Sequence, residues 1–373
     1  VAQDLALLRD LALVLVTAGV VALLFQRLRL PTVLGYLAAG VLVGPNLTPF
    51  RLVQDSTDIQ LLAQIGVIFL LFSLGLHFHL GRLRRVGGLA VTAGVLEVGL
   101  LVAAGFGAAR LFGWRPLDAL FLGAILAISS TTIIVKVLAE QGLLREPTTE
   151  AIFGILLVED LVAIVLIALL SSLALTGGVT FAVVSGVVLR VAIFVLATLV
   201  LGLVLVPRVV DHVAKLRVEE VLVLLVVGIA FATAMIAVAL QLSVALGAFI
   251  AGAIVAESRA SAAVERRVAP LRDVFAAVFF VSTGILISPR DLLAYAPAIL
   301  ALAALVIVGK VLAVSVATFV AGFPPQQAMR VGISMAMIGE FSFVIASLGR
   351  DLAVTAPFLL PIAVGVSAVT TLV

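Results

Sequence analysis

The sequence predicts an all-α membrane protein with thirteen transmembrane helices, built from an inverted repeat in which two helices are interrupted. Three observations carry that prediction: the composition, a series of apolar runs of bilayer length, and motifs that recur at a nearly constant offset. Of 373 residues, 64% are hydrophobic and 12% are charged, and the mean hydropathy is +1.37. Soluble domains carry about 25% charged residues, so most of this chain is suited to hydrocarbon. The sequence pI of 9.8 and net charge of +3 do not point to nucleic acid. The basic residues are scattered through short loops, with no basic run interleaved with aromatics. With no cysteine, disulfides, thiolate chemistry and Cys-ligated metals are excluded for this chain.

The apolar runs fall, in order, at about 5–25, 32–49, 59–79, 86–112, 117–139, 150–174, 183–206, 219–240, 242–256, 271–288, 292–320, 327–349 and 352–373. A helix crosses the hydrocarbon core in about 20 residues. The first run is as long as a span and reads as a helix, not as a cleaved signal peptide. No soluble insertion separates the runs, so residues 1–373 read as one membrane domain. Lys and Arg then set the orientation. Arg27, Arg29, Arg82, Arg84, Arg85, Arg145, Arg208, Lys215, Arg217, Arg259, Arg266, Arg267, Arg272 and Arg330 fall on one side, against Arg9, Arg51, Arg110, Arg115, Arg290 and Arg350 on the other. The richer side is cytoplasmic, which puts the N-terminus outside and the C-terminus inside. Starting at Val1 and ending within its last span, the chain is expected to be preceded by further residues and followed by a cytoplasmic domain.

Spans seven apart echo one another. Leu34-Gly35-Tyr36-Leu37-Ala38-Ala39-Gly40 matches Leu246-Gly247-Ala248-Phe249-Ile250-Ala251-Gly252 at Leu, Gly, Ala and Gly, an offset of 212. Ser73-Leu74-Gly75 echoes Ser282-Thr283-Gly284, and Gly123, Ala127 and Val135 echo Gly332, Ala336 and Val344, both at an offset of 209. A shift of an odd number of spans turns the second copy upside down in the membrane. Inverted repeats of this kind point to alternating access, with substrate at mid-depth where interrupted helices meet. The interruptions are expected at Ser129-Ser130-Thr131-Thr132 in the fifth span and at Gly339-Glu340-Phe341-Ser342 in the twelfth.

The sixth span carries the chemistry. Glu159 and Asp160 lie side by side in a run that is otherwise aliphatic from about 151 to 175. An acid at a helix centre costs roughly 2.5 to 3.5 kcal/mol on insertion scales, so an intramembrane carboxylate needs a partner and marks a functional site. A proton or a monovalent cation can neutralise it, and a carboxylate that crosses only when neutralised enforces exchange. Lys310, in the middle of the eleventh span, needs an anion. Glu159 is the expected partner, since adjacent helical residues point about 100° apart and Asp160 would then face the ion. That pair reads either as a permanent salt bridge or as a lysine that exchanges protons. The hydroxyls of Ser129, Ser130, Thr131 and Thr132 suit an alkali cation, because hard cations take oxygen ligands; alternatively they bond back to their own helix. Glu340 offsets the positive ends of broken helices or binds the ion. Glu97, Lys136 and the boundary histidines His77 and His79 are left open between structural and pH-sensing roles.

Together these residues resemble the monovalent cation/proton antiporters of the second cation-antiporter family, the Kef-type potassium/proton and related sodium/proton antiporters. The resemblance runs through Pro31-Thr32-Val33-Leu34-Gly35-Tyr36, Gly40 and Gly44-Pro45; Phe69-Leu70-Leu71-Phe72 with Gly75-Leu76; Ser129 to Thr132; Glu159-Asp160; Phe279-Phe280 with Gly284; Lys310; and Gly339 to Phe343. It implies a bacterial inner-membrane antiporter that needs no cofactor and exchanges K+ or Na+ for H+, with Asp160 as the shared ion and proton carboxylate. It further implies a core, about 59–174 and 271–373, holding two crossed broken helices, and scaffold and dimer helices, about 1–49 and 183–256, that form a homodimer. A nucleotide-binding regulatory domain beyond Val373 would fit the same pattern. The motif departs from the family at Glu159, where relatives carry Gln, Asp or Asn, which leaves stoichiometry and cation preference open.

Two other functions share the acids. A cation channel needs no inverted broken helices. An intramembrane aspartyl-type hydrolase sets its acids on separate helices, whereas these are consecutive, and the chain has no His-Glu-x-x-His run or Gly-x-Ser-x-Gly elbow.

Overall fold

The computed structural model describes residues 2–28, 30–46, 57–77, 88–131, 133, 134, 138, 146–176, 181–216, 218–240, 242 and 244–372. Among them every regular element is an α-helix: α1 (Ala2–Arg27), α2 (Thr32–Val43), α3 (Thr57–His77), α4 (Gly88–Leu111), α5 (Pro116–Ala127), α6 (Pro147–Thr176), α7 (Phe181–Lys215), α8 (Glu219–Ala239), α9 (Val244–Ala256), α10 (Ser261–Ile285), α11 (Pro289–Ala294), α12 (Ala296–Val320), α13 (Pro325–Ser334), α14 (Glu340–Asp351) and α15 (Leu359–Leu372). Several starts are written locally. Pro116, Pro289 and Pro325 occupy the first turns of α5, α11 and α13, where a missing N–H costs nothing and the fixed φ favours the helix. Seven helices are long and apolar enough to cross a membrane, and five shorter apolar ones accompany them. With 30 residues, α6 reaches about 45 Å.

Thirteen expected runs thus become fifteen helices among the described residues, for a physical reason in each case. The run at 292–320 divides at Tyr295 into α11 and α12, because Pro297 starts a new helix there. The run at 327–349 divides at 335–339, between α13 and α14. The run at 117–139 is helical to Ala127, leaves the helix at 128–130, and is helical again at Thr131 among the described residues. Two boundaries also move. α10 starts at Ser261 and carries Arg266, Arg267 and Arg272 within the helix, while 352–358 is a turn in which Ala353 takes a φ of 55°.

The chain forms two compact units. One comprises Val1–Arg84 and Ile167–Ile287, the other Arg85–Leu166 and Ser288–Val373. The 59–79 and 271–288 runs, grouped with the core in the sequence, fall in the first unit as α3 and most of α10. There, α3 packs on α9 and α10, α2 on α1 and α10, and α8 on α9. Glycines let these backbones touch. A Cβ on Gly40 would overlap the Val281 carbonyl oxygen and sit 2.7 Å from Gly284 Cα; one on Gly252 would overlap the Phe72 carbonyl oxygen and sit 2.9 Å from Gly75 Cα. Without a hydrophobic drive between helices in lipid, such close approach is a main source of association. On α7, by contrast, Leu189, Ile193, Leu196, Val200, Leu201 and Leu205 are all exposed, an apolar surface for hydrocarbon.

In the second unit α4 packs on α5 and α12, α12 on α13 and α15, and α14 on α5 and α15. Arg115 and Asp118 form a bidentate pair at 2.7 and 3.1 Å, and Asp118 accepts the Ala356 N–H at 2.7 Å, fixing the start of α5 to the turn before α15. An open groove of about 470 Å³ is lined by Val95, Val98, Val102, Phe106, Leu120 and Val162. Its lining carries no charge, so it suits hydrocarbon and not an ion.

Gly252→Val should destabilise the protein by about 1 to 3 kcal/mol through overpacking, read as a lowered thermal midpoint in detergent. Gly228→Ala, where an added Cβ meets nothing within 4 Å, should leave that midpoint unchanged or raise it.

Candidate ion site at two helix interruptions

The buried cluster of Glu97, Glu159, Asp160 and Lys310 lies in the second unit, where α5 and α13 stop short. Between Ala127 and Thr131 the backbone leaves the helix, with Ile128 extended at φ −99° and ψ 125°. Between Ser334 and Glu340 it is irregular, and Gly339 is extended at φ −113° and ψ −169°. A Cβ at Gly339 would lie 2.5 Å from Ser129 O and 2.6 Å from Ser130 Cα, so the two interruptions are in backbone contact. The second break lies just before the position the motif suggested: Glu340 and Ser342 belong to the first turn of α14.

Broken helices leave backbone groups that hydrocarbon cannot satisfy, and here each of those traced has a partner. Gly339 N–H donates to Ile128 O at 3.0 Å. Ser342 Oγ donates to Ile125 O at 2.6 Å, and Lys310 Nζ to Ala127 O at 2.8 Å. Ser129 N–H donates to Glu159 Oε2 at 2.7 Å. On the other break, Ser129 Oγ reaches Met335 O at 3.3 Å, Ser367 Oγ donates to Ile338 O at 3.4 Å, and Ile338 N–H donates to Thr370 Oγ1 at 3.4 Å.

The charged residues are distributed unequally. Lys310 on α12 donates to Glu97 Oε1 on α4 and to Ser129 Oγ, each at 2.7 Å, while Glu159 Oε1 on α6 stands 3.5 Å away. Glu97, Glu159 and Lys310 are all 0% exposed. Lys310 thus pairs with two acids: the expected partner Glu159 forms an ion pair at 3.5 Å, Glu97 adds a shorter, hydrogen-bonded one that the sequence did not assign, and Glu159 is also tied to Ser129 by the amide and, at 3.1 Å, by the hydroxyl. The reason is reach. Glu97 presents an oxygen to the ammonium directly, whereas the Glu159 carboxylate is drawn onto the free amide of the break.

Asp160, 7% exposed, has a looser setting. Its hydrogen-bond partner among the described residues is Thr131, whose Oγ1 lies 3.3 Å from Oδ2 and 3.5 Å from Oδ1. Glu340 accepts from Ser130 Oγ at 3.0 Å and acts on Asp160 electrostatically. Asp160, Thr131, Ser130 and Glu340 therefore bring oxygens together, the donor type a hard monovalent cation takes. No group of three or more His, Asp or Glu residues able to hold a resident metal occurs among the described residues. Thr132, Lys136 and His79 lie outside the described residues. His77 makes an ion pair with Glu265 at 2.7 Å in the first unit. Sequence reasoning left Glu97 unassigned, and the signal available was a carboxylate in mid-span with a lysine in mid-span elsewhere, both in need of a partner.

The chain is 34% identical over 346 residues to the putative cation/proton antiporter YbaL of Escherichia coli, covering 91% of this chain and 62% of that protein. It is 33% identical to K(+) efflux antiporter 5 of Arabidopsis thaliana, covering 94% and 62%, and 28% identical to the K(+)/H(+) antiporter subunit KhtU of Bacillus subtilis, covering 90% and 84%. The chain thus spans less than two thirds of the length of the first two. In fold it is similar to the sodium proton antiporter MjNhaP1 of Methanocaldococcus jannaschii, with a TM-score of 0.70 at 15% identity, covering all of this chain and 95% of that one. The sequence model of the family described as "Sodium/hydrogen exchanger, transmembrane" matches residues 12–373, and the chain, a multi-pass membrane protein, belongs to that family of exchangers.

Proposed function

We propose that the chain is the membrane domain of a secondary antiporter that exchanges a monovalent cation, K+ or Na+, for H+ by alternating access, with Asp160 as the carboxylate that takes either ion. The observation that carries this reading is the contrast within α6. Glu159 is wholly buried and closed by Ser129, whereas the next residue, Asp160, has one long contact to Thr131 and retains some exposure. An intramembrane carboxylate so sparsely bonded is stable only when neutralised, and a proton and an alkali cation are the two neutralisers at hand. Several relatives are named for K+, which makes K+ the first cation to test. The bacterial inner membrane and a homodimer follow from the resemblance, and an outside N-terminus from the distribution of Lys and Arg; they complete the reading.

We also propose that the fold is an inverted repeat, and the close packing supports it residue by residue. Gly35 packs on Ala22 and Gly247 on Ala234, both pairs related by 212. Gly40 meets Val281 and Gly284, while Gly252 meets Phe72 and Gly75, the positions obtained by exchanging the two copies. In the second unit Gly123 faces the Val102 carbonyl and Gly332 the Val311 carbonyl, related by 209. Repeats sharing both motifs and contacts are the architecture in which a fixed mid-depth site is exposed to alternate sides.

In proteoliposomes holding a pH gradient, added K+ or Na+ should collapse the gradient, and Asp160→Asn should abolish that response. Wild-type exchange by Asp160→Asn would refute the assignment. Thr131→Val should keep the maximal rate but raise the half-saturating cation concentration about tenfold, the equivalent of about 1.4 kcal/mol.

A further inference from the structure

The open groove between α4, α5 and α6 takes no part in the exchange proposed above. We propose that it is a lipid site, holding one acyl chain of an anionic phospholipid whose phosphate lies on Arg110. Every residue that lines it belongs to the second unit.

On α4 the groove runs along Val95, Gly99, Ala103 and Phe106, and Leu120 of α5 and Val162 of α6 form its other walls. Gly99 and Ala103 hollow it. A Cβ on Gly99 would meet nothing within 4 Å, and Val95 and Phe106 are 52% and 36% exposed, so no part of the chain roofs the space. The stretch from Val95 to Phe106 rises about 16 Å along the helix. One leaflet supplies roughly 15 Å of hydrocarbon, half of a core of about 30 Å. The groove is therefore as deep as one acyl layer.

The helical period carries the same stripe onward to a cation. Gly99, Ala103, Phe106 and Arg110 fall within a sector of about 60° on α4. Arg110 is exposed and gives one Nη1 hydrogen to Trp114 O at 2.6 Å. A guanidinium has five such donors, and no carboxylate bonds to Arg110 among the described residues. Arg115, by contrast, is taken by Asp118. Aromatic rings fix the level. Trp114 lies 5.3 Å from Phe112 and 4.6 Å from Phe358 between ring centroids, and Tyr295 lies 5.4 Å from Phe358. Trp and Tyr gather where hydrocarbon meets headgroups, so Arg110 stands at phosphate depth with the groove one turn below it.

Charge and shape together select the ligand. A planar guanidinium takes two phosphate oxygens at once, and a chain beneath it fills the hollow over Gly99. A free phosphate would gain the first contact and not the second. Val162 shares α6 with Asp160, so the seated chain packs against the helix that carries that acid.

Quenching by brominated lipid tests this. The chain has a single tryptophan, so Trp114→Phe combined with Phe106→Trp leaves its one indole in the groove. That reporter protein is reconstituted in phosphatidylcholine vesicles containing rising fractions of phosphatidylglycerol or phosphatidylcholine brominated on the acyl chain. Brominated phosphatidylglycerol should half-quench at about a fifth of the fraction that brominated phosphatidylcholine needs, the effect of one Arg on an anionic lipid. Arg110→Gln should make the two lipids equal. Arg110→Lys should keep the preference, which a merely structural role of the side chain does not explain. Gly99→Leu, whose Cβ meets no neighbour, fills the groove and should erase the preference, while Gly228→Leu, equally unhindered on α8, should not. Equal fractions in the reporter protein, or a preference that outlives Arg110→Gln or Gly99→Leu, overturns the proposal. So does weak quenching by both lipids, the result expected if a second copy of the chain covers the groove. Should the reporter protein not reconstitute, native mass spectrometry of the unaltered chain decides. It should retain one phosphatidylglycerol more than the Gly99→Leu protein, and equal numbers overturn the proposal.

Discussion

The constraint on which the second unit depends is that a helix interrupted within hydrocarbon must have its freed amides and carbonyls met by other protein groups. The break after Ala127 frees the carbonyls of Ile125, Ala127 and Ile128 and the amide of Ser129. A hydroxyl, an ammonium, a glycine amide and a carboxylate meet them in turn. The charges at this site therefore have a structural origin before any transport role. Lys310 caps a helix end, where a cation complements the C-terminal dipole of α5, and Glu159 receives the amide that the break exposes. Removing either would leave a buried group of the opposite kind uncompensated, which for a buried ion pair costs about 3 to 5 kcal/mol.

Meeting the backbone uses up most of the charged atoms but not all of them. Lys310 has spent its hydrogens, Glu159 is held at both oxygens, and Glu340 is bonded to Ser130. The Asp160 carboxylate meets a side-chain hydroxyl, that of Thr131, and only at 3.3 and 3.5 Å. Asp160 follows Glu159 directly on α6, so the turn of about 100° per residue that aims Glu159 at Ser129 aims Asp160 elsewhere, toward Thr131. Adjacent acids thus differ within one site: the first helps hold the break together, and the second, on the reading proposed above, takes the proton or the alkali cation.

Much of this was legible in the sequence because it is local. The hydropathy gave the helices, Ser129 to Thr132 and Gly339-Glu340 marked the interruptions, and the mid-span acids marked the site. The break in the twelfth run was displaced by a few residues, because Met335 to Ile338 are apolar and resemble helix; what unwinds them is contact with Ser129 and with Thr370 and Ser367 on α15. The nearer of the two acids paired with Lys310 was not legible. Glu97 lies 213 residues away, and nothing in either segment distinguishes it from Glu159 as an anion at similar depth. Choosing between them needs the distances, since each is a mid-span carboxylate with a chain long enough to reach.

Both units contain close glycine packing, and the second adds to it the polar bonds at its interruptions. In the first unit Gly40, Gly75, Gly252 and Gly284 bring backbone onto backbone. Such a contact has no slack: separating it loses dispersion over many atom pairs at once, and no alternative partner exists in lipid. In the second unit the interruptions are joined mainly by side chains, each of which can accept another partner of the same kind. A Ser129 hydroxyl can bond Glu159 or Met335, and a carboxylate can take a proton, a cation or an amide. Exchanging one such bond for another costs on the order of 1 kcal/mol, within reach of the free energy that a bound ion supplies. On the antiporter reading proposed above, close-packed glycines in one unit and replaceable polar bonds in the other let an ion alter one part of the protein without dissolving the rest.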